Sequence, residues 1–349
     1  MPIASADLKA QATHLGFDLC GVAPAGDFVE LTALPAWLRR GFAGRMTYLN
    51  RTATTRADAR RWLPSARSVI CVACVYHTDR PLSVEASDSG EALIARYAWG
   101  DDYHDVLARR LEALLAWMRE AAGEAFDARI GVDDAPVQER AYAAHAGLGW
   151  IGKHTCLISP AVGSWLVLGE IVTSLALEPD DPALDQCGTC RLCIDACPTG
   201  AIVEPYVLDA TRCLSYLTIE IKKSIPEAQR PDLGAHVFGC DICQDVCPWN
   251  ATAVPSVDPA WQPHPGLDRP RLSDLWRDSD AGLSARIAHT ALRRRGVAGL
   301  RRNVAVAIGN SGAADGGDVL AASPSDSPAA SDGVVAQHVT WARERIDRA

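Results

Sequence analysis

Cys187-Gly-Thr-Cys190-Arg-Leu-Cys193-Ile-Asp-Ala-Cys197-Pro198 is the stretch whose spacing decides most about this chain. It reads C-x2-C-x2-C-x3-C-P, a run in which three thiolates hold one 4Fe–4S cluster and the fourth belongs to another. A partner run is therefore required. Cys240-Asp-Ile-Cys243-Gln-Asp-Val-Cys247-Pro248 supplies it, with Cys213 upstream as the missing ligand. The crossing rule assigns Cys187, Cys190, Cys193 and Cys247 to one cluster. It assigns Cys197, Cys213, Cys240 and Cys243 to the other. Structural zinc also takes four cysteines in CxxC pairs, but it does not account for an x3-C-P ending that occurs twice.

The rest of the composition sets the frame. At 349 residues, 48% hydrophobic and 22% charged, the chain reads as soluble and globular, with room for two or three domains. A formal net charge of −9 argues against a generally basic nucleic-acid binder. The start, Met1-Pro-Ile-Ala-Ser-Ala-Asp-Leu-Lys9, has neither a basic n-region nor an apolar h-region, so no secretory signal is expected. No apolar run approaches the ~18 residues of a membrane helix. The expectation is a cytoplasmic monomer without a membrane partner, where reduced thiols and clusters persist. Cys71 and Cys74 form a CxxC inside the apolar run Ser68–Tyr76 and read as buried core thiols rather than a redox pair.

Along the chain, residues 1–177 alternate strands and helices, the pattern of an α+β or α/β domain. Strands are expected over Phe17–Ala23, 68–76, Phe126–Asp133 and Trp165–Leu177. Leu107, Leu111, Leu114, Leu115 and Met118 line one face of a long helix. The cysteine-rich segment, 178–255, is too loop-rich to depend on apolar burial alone, so its clusters should supply much of its fold. Residues 256–349 begin with a proline-rich linker and become helical, with Val297, Leu300, Val304 and Ile308 at helical spacing. A final helix uses Val335, Val339, Ala342 and Ile346, and the two helices resemble a HEAT-type pair. Residues 311–333 between them, rich in Ala, Ser, Asp, Gly and Pro, read as a disordered insertion. From 281 to 314 there is no Asp or Glu, and Arg293, Arg294, Arg295, Arg301 and Arg302 form the candidate nucleic-acid contact.

A two-cluster module carries electrons and needs an acceptor. No G-x-G-x-x-G follows a strand, so a nucleotide-cofactor site is not indicated. Asp102-Tyr-His104-Asp-Val-Leu107 lacks the glycine of a histidine-ligated cobalamin motif. Spacing goes no further, but whole segments do. Gly131-Val-Asp133-Asp-Ala-Pro136-Val-Gln-Glu-Arg140, Tyr97-Ala-Trp-Gly-Asp-Asp-Tyr103-His104, Gly163-Ser-Trp-Leu-Val-Leu-Gly-Glu170 and Phe238-Gly-Cys-Asp-Ile-Cys-Gln-Asp-Val-Cys-Pro-Trp-Asn250 resemble the epoxyqueuosine reductase family. The resemblance covers about 5–310.

It implies an α+β multidomain fold. Residues 1–177 would form a reductive-dehalogenase-like α/β domain binding cobalamin without a histidine ligand. Residues 178–255 would form a bacterial-ferredoxin-like two-cluster domain, before the HEAT-like lobe. The implied reaction reduces epoxyqueuosine to queuosine at the wobble position of tRNA. Electrons would come from an external reduced carrier, ferredoxin- or flavodoxin-like, through both clusters to cobalt. Asp133 matches the family's proton donor; Asp134 stands beside it where the family has Thr, so either aspartate is a candidate. A carboxyl acting near pH 7 calls for a raised pKa. Arg56, Arg140, Lys153, Ser159 and Ser215 fall in matching segments and are expected around the cofactor or the modified base. Two other readings are a plain dicluster electron carrier and a soluble reductive dehalogenase.

Overall fold

The computed structural model describes residues 3–86, 90–313, 315–322, 327–328 and 332–348. Its centre is a four-stranded sheet of β1 (Leu19–Pro24), β2 (Ser68–Val75), β3 (Ala128–Gly131) and β4 (Leu166–Thr173), in the order β1-β2-β4-β3. Every neighbouring pair is antiparallel, with Leu19 opposite Ala73, Ser68 opposite Thr173 and Gly131 opposite Glu170. All eight residues of β2 are buried because both faces of the sheet are covered. Ile70, Val72 and Cys74 enter one core, and Val69, Cys71 and Ala73 enter the other, as the two-residue period of a strand requires. Cys71 and Cys74 therefore lie on opposite faces and cannot meet.

One face takes α1 (Ser5–His14) through Leu8 and Ala12, and α2 (Tyr103–Ala122) through Leu107, Leu111, Leu114 and Met118. Asp102 starts α2 by accepting a hydrogen bond from the His104 N–H, and Gly123 ends it in the left-handed conformation. The other face takes α3 (Glu139–His145) through Ala141, Tyr142 and Ala143. That helix starts at Glu139, three residues after Pro136. Its end presses so close to β1 that a Cβ at Gly21 would stand 2.0 Å from the Ala146 carbonyl oxygen. Gly21→Ala is accordingly expected to cost about 1–3 kcal/mol by overpacking, read as a lower midpoint in thermal unfolding. An unchanged midpoint would show that α3 gives way.

In the C-terminal region α4 (Gly296–Ser311) is buried all round from Gly299 to Gly309. Beside it runs α5 (Gly333–Ile346), so close that a Cβ at Gly309 would lie 2.8 Å from the Ala342 Cα. This core is continuous with Ala92, Ile94, Ala98 and Trp99 upstream and with Val237 and Phe238. The proline-rich linker is packed too: Trp261 and Leu267 are buried, and the His77 carbonyl accepts from the Ser256 N–H.

The disordered insertion expected at 311–333 is corrected in part. Gly316–Ala321 is a helix, with Val319 and Leu320 buried against α4 and α5. Two apolar side chains in the pentamer Gly317–Ala321 suffice once a groove exists to receive them. Residues 314, 323–326 and 329–331 of that stretch lie outside the described residues. Among the described residues no helix is long and apolar enough to cross a membrane.

Candidate functional site

A cavity of ≈ 290 Å³ opens where the sheet, the cysteine-rich segment and α4's approach meet. Met46, Leu208, Ala210, Ile219, Phe238 and Ala291 make its apolar walls, and Tyr97, Tyr103, His104, Asp133, Glu220 and Arg294 its polar side. Cys213, Ser215 and Tyr216 complete the lining.

Asp133 follows β3 in the left-handed region, φ +58°, which aspartate tolerates at modest cost and which turns its side chain out of the strand. Its carboxylate is 42% exposed, so a ligand can reach it. Oδ2 lies 3.4 Å from His104 Nε2 and 3.3 Å from Arg294 Nη1. His104 Nδ1 is 2.7 Å from Asp102 Oδ1, and Arg293 Nε is 2.8 Å from Asp102 Oδ2. Arg294 also donates to Glu220 at 2.7 Å. Acids and bases thus alternate along one chain: Arg293, Asp102, His104, Asp133, Arg294, Glu220.

The electrostatics correct one expectation. Burial would raise the Asp133 pKa, but His104, Arg294 and the Tyr103 hydroxyl outweigh it and hold the carboxyl down at about 2. The proton resides on the partner. Burial works against the charged ring of His104, yet Asp102 and Asp133 raise its pKa to about 9. Asp134 is exposed and lines no part of the cavity, so the geometry favours Asp133.

The thiols fall into two groups. Burial, with Cys247, Cys187 and Cys190 adding to it, raises the Cys193 pKa to about 11. Cys240 feels Cys213 and Cys197, and Cys243 feels Cys240 and Cys213 together with Cys156. Each group includes thiols from both sequence runs, and no cysteine among the described residues is in a disulfide. Among those residues no three side chains close on a single-ion point. The first group is sealed by Trp150, whose Nε1 donates to Cys187 Sγ at 3.5 Å and whose ring meets Trp249 edge-on at 4.9 Å. Asn250 anchors the turn after Cys247: its Oδ1 accepts from the Ser164 N–H at 2.6 Å, and its Nδ2 donates to the Gln244 carbonyl at 2.8 Å. The second group reaches the cavity through Cys213.

The other expected residues scatter. Ser215 lines the cavity. Arg140 is exposed and donates to the Thr155 carbonyl at 2.5 Å, while Arg56 donates to the Val137 carbonyl at 2.7 Å behind the Asp133 turn. Lys153 is buried with its ammonium on the carbonyls of Gly188 and Cys190, bracing the first thiol loop. Ser159 is buried with its hydroxyl accepting from the Ala161 N–H. Neither lines the cavity. Arg301 and Arg302 are corrected as nucleic-acid contacts, since both are fully buried on backbone carbonyls and neighbouring side chains. Arg294 is exposed at the cavity, Arg293 beside it is exposed too, and Arg295 is partly buried. Sequence reasoning missed Tyr103, His104 and Arg294 as partners of Asp133. The available signal was Asp102, a helix-start residue two positions before a histidine.

Comparison with known proteins follows this geometry closely. Residues 186–250 match the family model described as a 4Fe-4S double cluster binding domain. Residues 56–134 match the one described as epoxyqueuosine reductase QueG, DUF1730. An epoxyqueuosine reductase of Xanthomonas campestris pv. campestris is 40% identical over 346 residues, 97% of this chain and 95% of that protein. A crystal structure of an epoxyqueuosine reductase with an epoxyqueuosine-modified tRNA-Tyr stem loop superposes with a TM-score of 0.84 at 30% identity, covering 98% of this chain and 89% of the other. The epoxyqueuosine reductase of Bacillus subtilis also superposes with a TM-score of 0.84, at 29% identity over 98% of this chain and 90% of that one. That protein was solved with its catalytic loop swung out of the active site.

Proposed function

This chain belongs to the epoxyqueuosine reductase family, and from that premise we propose that it reduces epoxyqueuosine to queuosine at the wobble position of tRNA. Loss of the epoxide oxygen as water consumes two electrons and two protons. One observation carries the reading: a single cavity has Cys213 on one wall and the Asp133–His104 pair on another. Electron supply and proton supply therefore converge on one space, which a dicluster electron carrier has no use for.

The two thiol groups, Cys187, Cys190, Cys193, Cys247 and Cys197, Cys213, Cys240, Cys243, fit two 4Fe–4S clusters by donor type and number. The second group, nearer the cavity, passes on electrons delivered by an external reduced carrier. The family resemblance adds cobalamin without a histidine ligand. The cavity's donor set agrees, because both ring nitrogens of His104 are already taken by Asp102 and Asp133. Ser215 with the walls at Met46, Leu208 and Phe238 would hold the corrinoid, which when bound supplies the low-potential cobalt for epoxide reduction.

The protein's own residues manage charge. His104 stores a proton at neutral pH and faces Asp133 Oδ2, so Asp133 delivers protons by relay, and Arg294 steadies the anion it leaves. Asp102, braced by Arg293, fixes the ring. Exposed Arg293 and Arg294 stand where an anticodon loop entering the cavity would bring phosphate, and the HEAT-like helical lobe presents them. The site of action is the cytoplasm, where tRNA is modified.

Anaerobic reconstitution tests the assignment. About eight iron per chain are expected, with turnover of epoxyqueuosine-containing tRNA on addition of cobalamin and a reductant. Cys193→Ser is expected to retain about four iron and to lose turnover. A wild-type content near four, or turnover without either cluster, would overturn the reading.

A further inference from the structure

A pair of carboxyls lies directly behind the Asp133 turn. Glu170, in the middle of β4, is 1% exposed, opposite Gly131 of β3. A Cβ at Gly131 would lie 2.6 Å from Glu170 Oε1, so the glycine makes room for the acid. No N–H or hydroxyl among the described residues reaches either Glu170 oxygen. The group that faces it is the carboxyl of Glu139, the first residue of α3, which is partly buried. Glu139 Oε1 in turn accepts the Asp133 backbone N–H at 2.5 Å.

We propose that Glu139 and Glu170 share one proton, and that this proton latches the Asp133 turn in place, making both glutamates positioning residues for the acid. The inference rests on the role given to Asp133 above. Two carboxylates in contact within a buried site cannot both ionise. Burial and the nearby Asp133 charge raise Glu139 to about 7, and burial with the facing Glu139 raises Glu170 well above the usual carboxylate range. The opposing charges are few: Arg140 on α3 and Arg56 on the helix Thr47–Arg56. The Cys71 thiol on β2 is the neutral neighbour, and beyond Asp133 stand Tyr103, His104 and Arg294.

With the proton in place, Glu139 bonds Glu170 on one side and the Asp133 N–H on the other. Its loss sets two buried anions beside a third at Asp133. Glu139 then withdraws, and a turn held at φ +58° loses its acceptor.

The test is hydrogen exchange of the 131–135 amides in the reconstituted holoenzyme from pH 6 to 9, corrected for intrinsic rates, with turnover measured on the same samples. Wild-type protection is expected to fall by about tenfold across that range, with kcat following it. Glu139→Gln keeps an acceptor for Asp133 and a donor for Glu170, so its protection should stay flat above neutrality and its kcat flat to about pH 8, below the range where His104 loses its proton. Glu170→Gln should behave likewise, while Glu139→Ala should be unprotected throughout. Protection that is flat with pH in wild type, or a Glu139→Gln protein as unprotected as Glu139→Ala, would overturn the latch. Expected protection without any epoxide turnover would remove the functional reading and leave the latch standing.

Discussion

Asp133→Asn is expected to lower kcat on epoxyqueuosine-containing tRNA by about a hundredfold or more, with iron content and cluster absorption unchanged. Asparagine suits the test because it tolerates the left-handed backbone and keeps the side chain's size, yet it cannot carry a proton. The pH behaviour of the network sharpens the expectation. In wild type the folded-state pKa of His104 lies above its ordinary value of 6.5, at about 9. Its contribution to stability is therefore fully present below 6.5 and is lost as pH rises through about 9. Asp133 is the opposite case, depressed from 3.8 to about 2, so its contribution is present above 3.8 and is lost as pH falls through about 2. Between these limits the pair stays charged and a proton is available on the ring. Removing the Asp133 charge should bring the His104 titration down toward 6.5, visible by NMR on the imidazole. A variant with wild-type kcat, or with His104 still titrating near 9, would refute the relay.

The parts of the molecule written in local spacing were legible. The two cysteine runs gave the thiol groups because ligand spacing is set within a few residues of chain. β2 and α2 were legible because continuous and 3.6-residue apolar patterns report burial directly. What sequence could not show was the company each side chain keeps. Asp133 was expected to carry a raised pKa, since nothing local reveals that His104 from α2 and Arg294 from beyond residue 290 converge on it. Nothing local shows that the Lys153 ammonium meets the carbonyls of Gly188 and Cys190, more than thirty residues downstream. Arg301 and Arg302 looked like surface charge for a similar reason. An acid-free arginine run signals phosphate only if the arginines are outside, and α4 is buried on every side.

The buried arginine makes the second large prediction. Arg302 is 1% exposed, with Nη1 donating to the carbonyls of Ile221 and Lys223 at 2.5 and 2.7 Å. Nη2 donates to the Leu217 carbonyl at 3.0 Å, and both Nε and Nη2 reach Asn303 Oδ1. Asn303 continues the lattice to the carbonyls of Thr218 and Val237. Among the described residues no carboxylate faces the guanidinium, and burial lowers its pKa, but every partner is an acceptor that the charge strengthens. The carbonyls of Leu217, Thr218, Ile221 and Lys223 belong to the segment after Cys213, which includes the π-helical turn Tyr216–Glu220. Arg302 therefore splints the wall carrying Cys213, Ser215 and Ile219.

Arg302→Met keeps the apolar bulk and leaves the buried carbonyls of Leu217 and Ile221, with the part-buried one of Lys223, short of a donor. A loss of about 3–5 kcal/mol is expected, a large share of a normal folding free energy. The unfolding midpoint should fall by roughly 10 °C. Reconstitution should fail first at the Cys213 group, leaving about four iron per chain. Arg293→Ala, on the exposed surface, is the contrasting case: its stability should change by less than about 1 kcal/mol, while its affinity for tRNA weakens and loses part of its salt dependence. If Arg302→Met instead melted like wild type with full iron and weakened only tRNA binding, the arginine would be a phosphate contact after all, and the splint would be excluded.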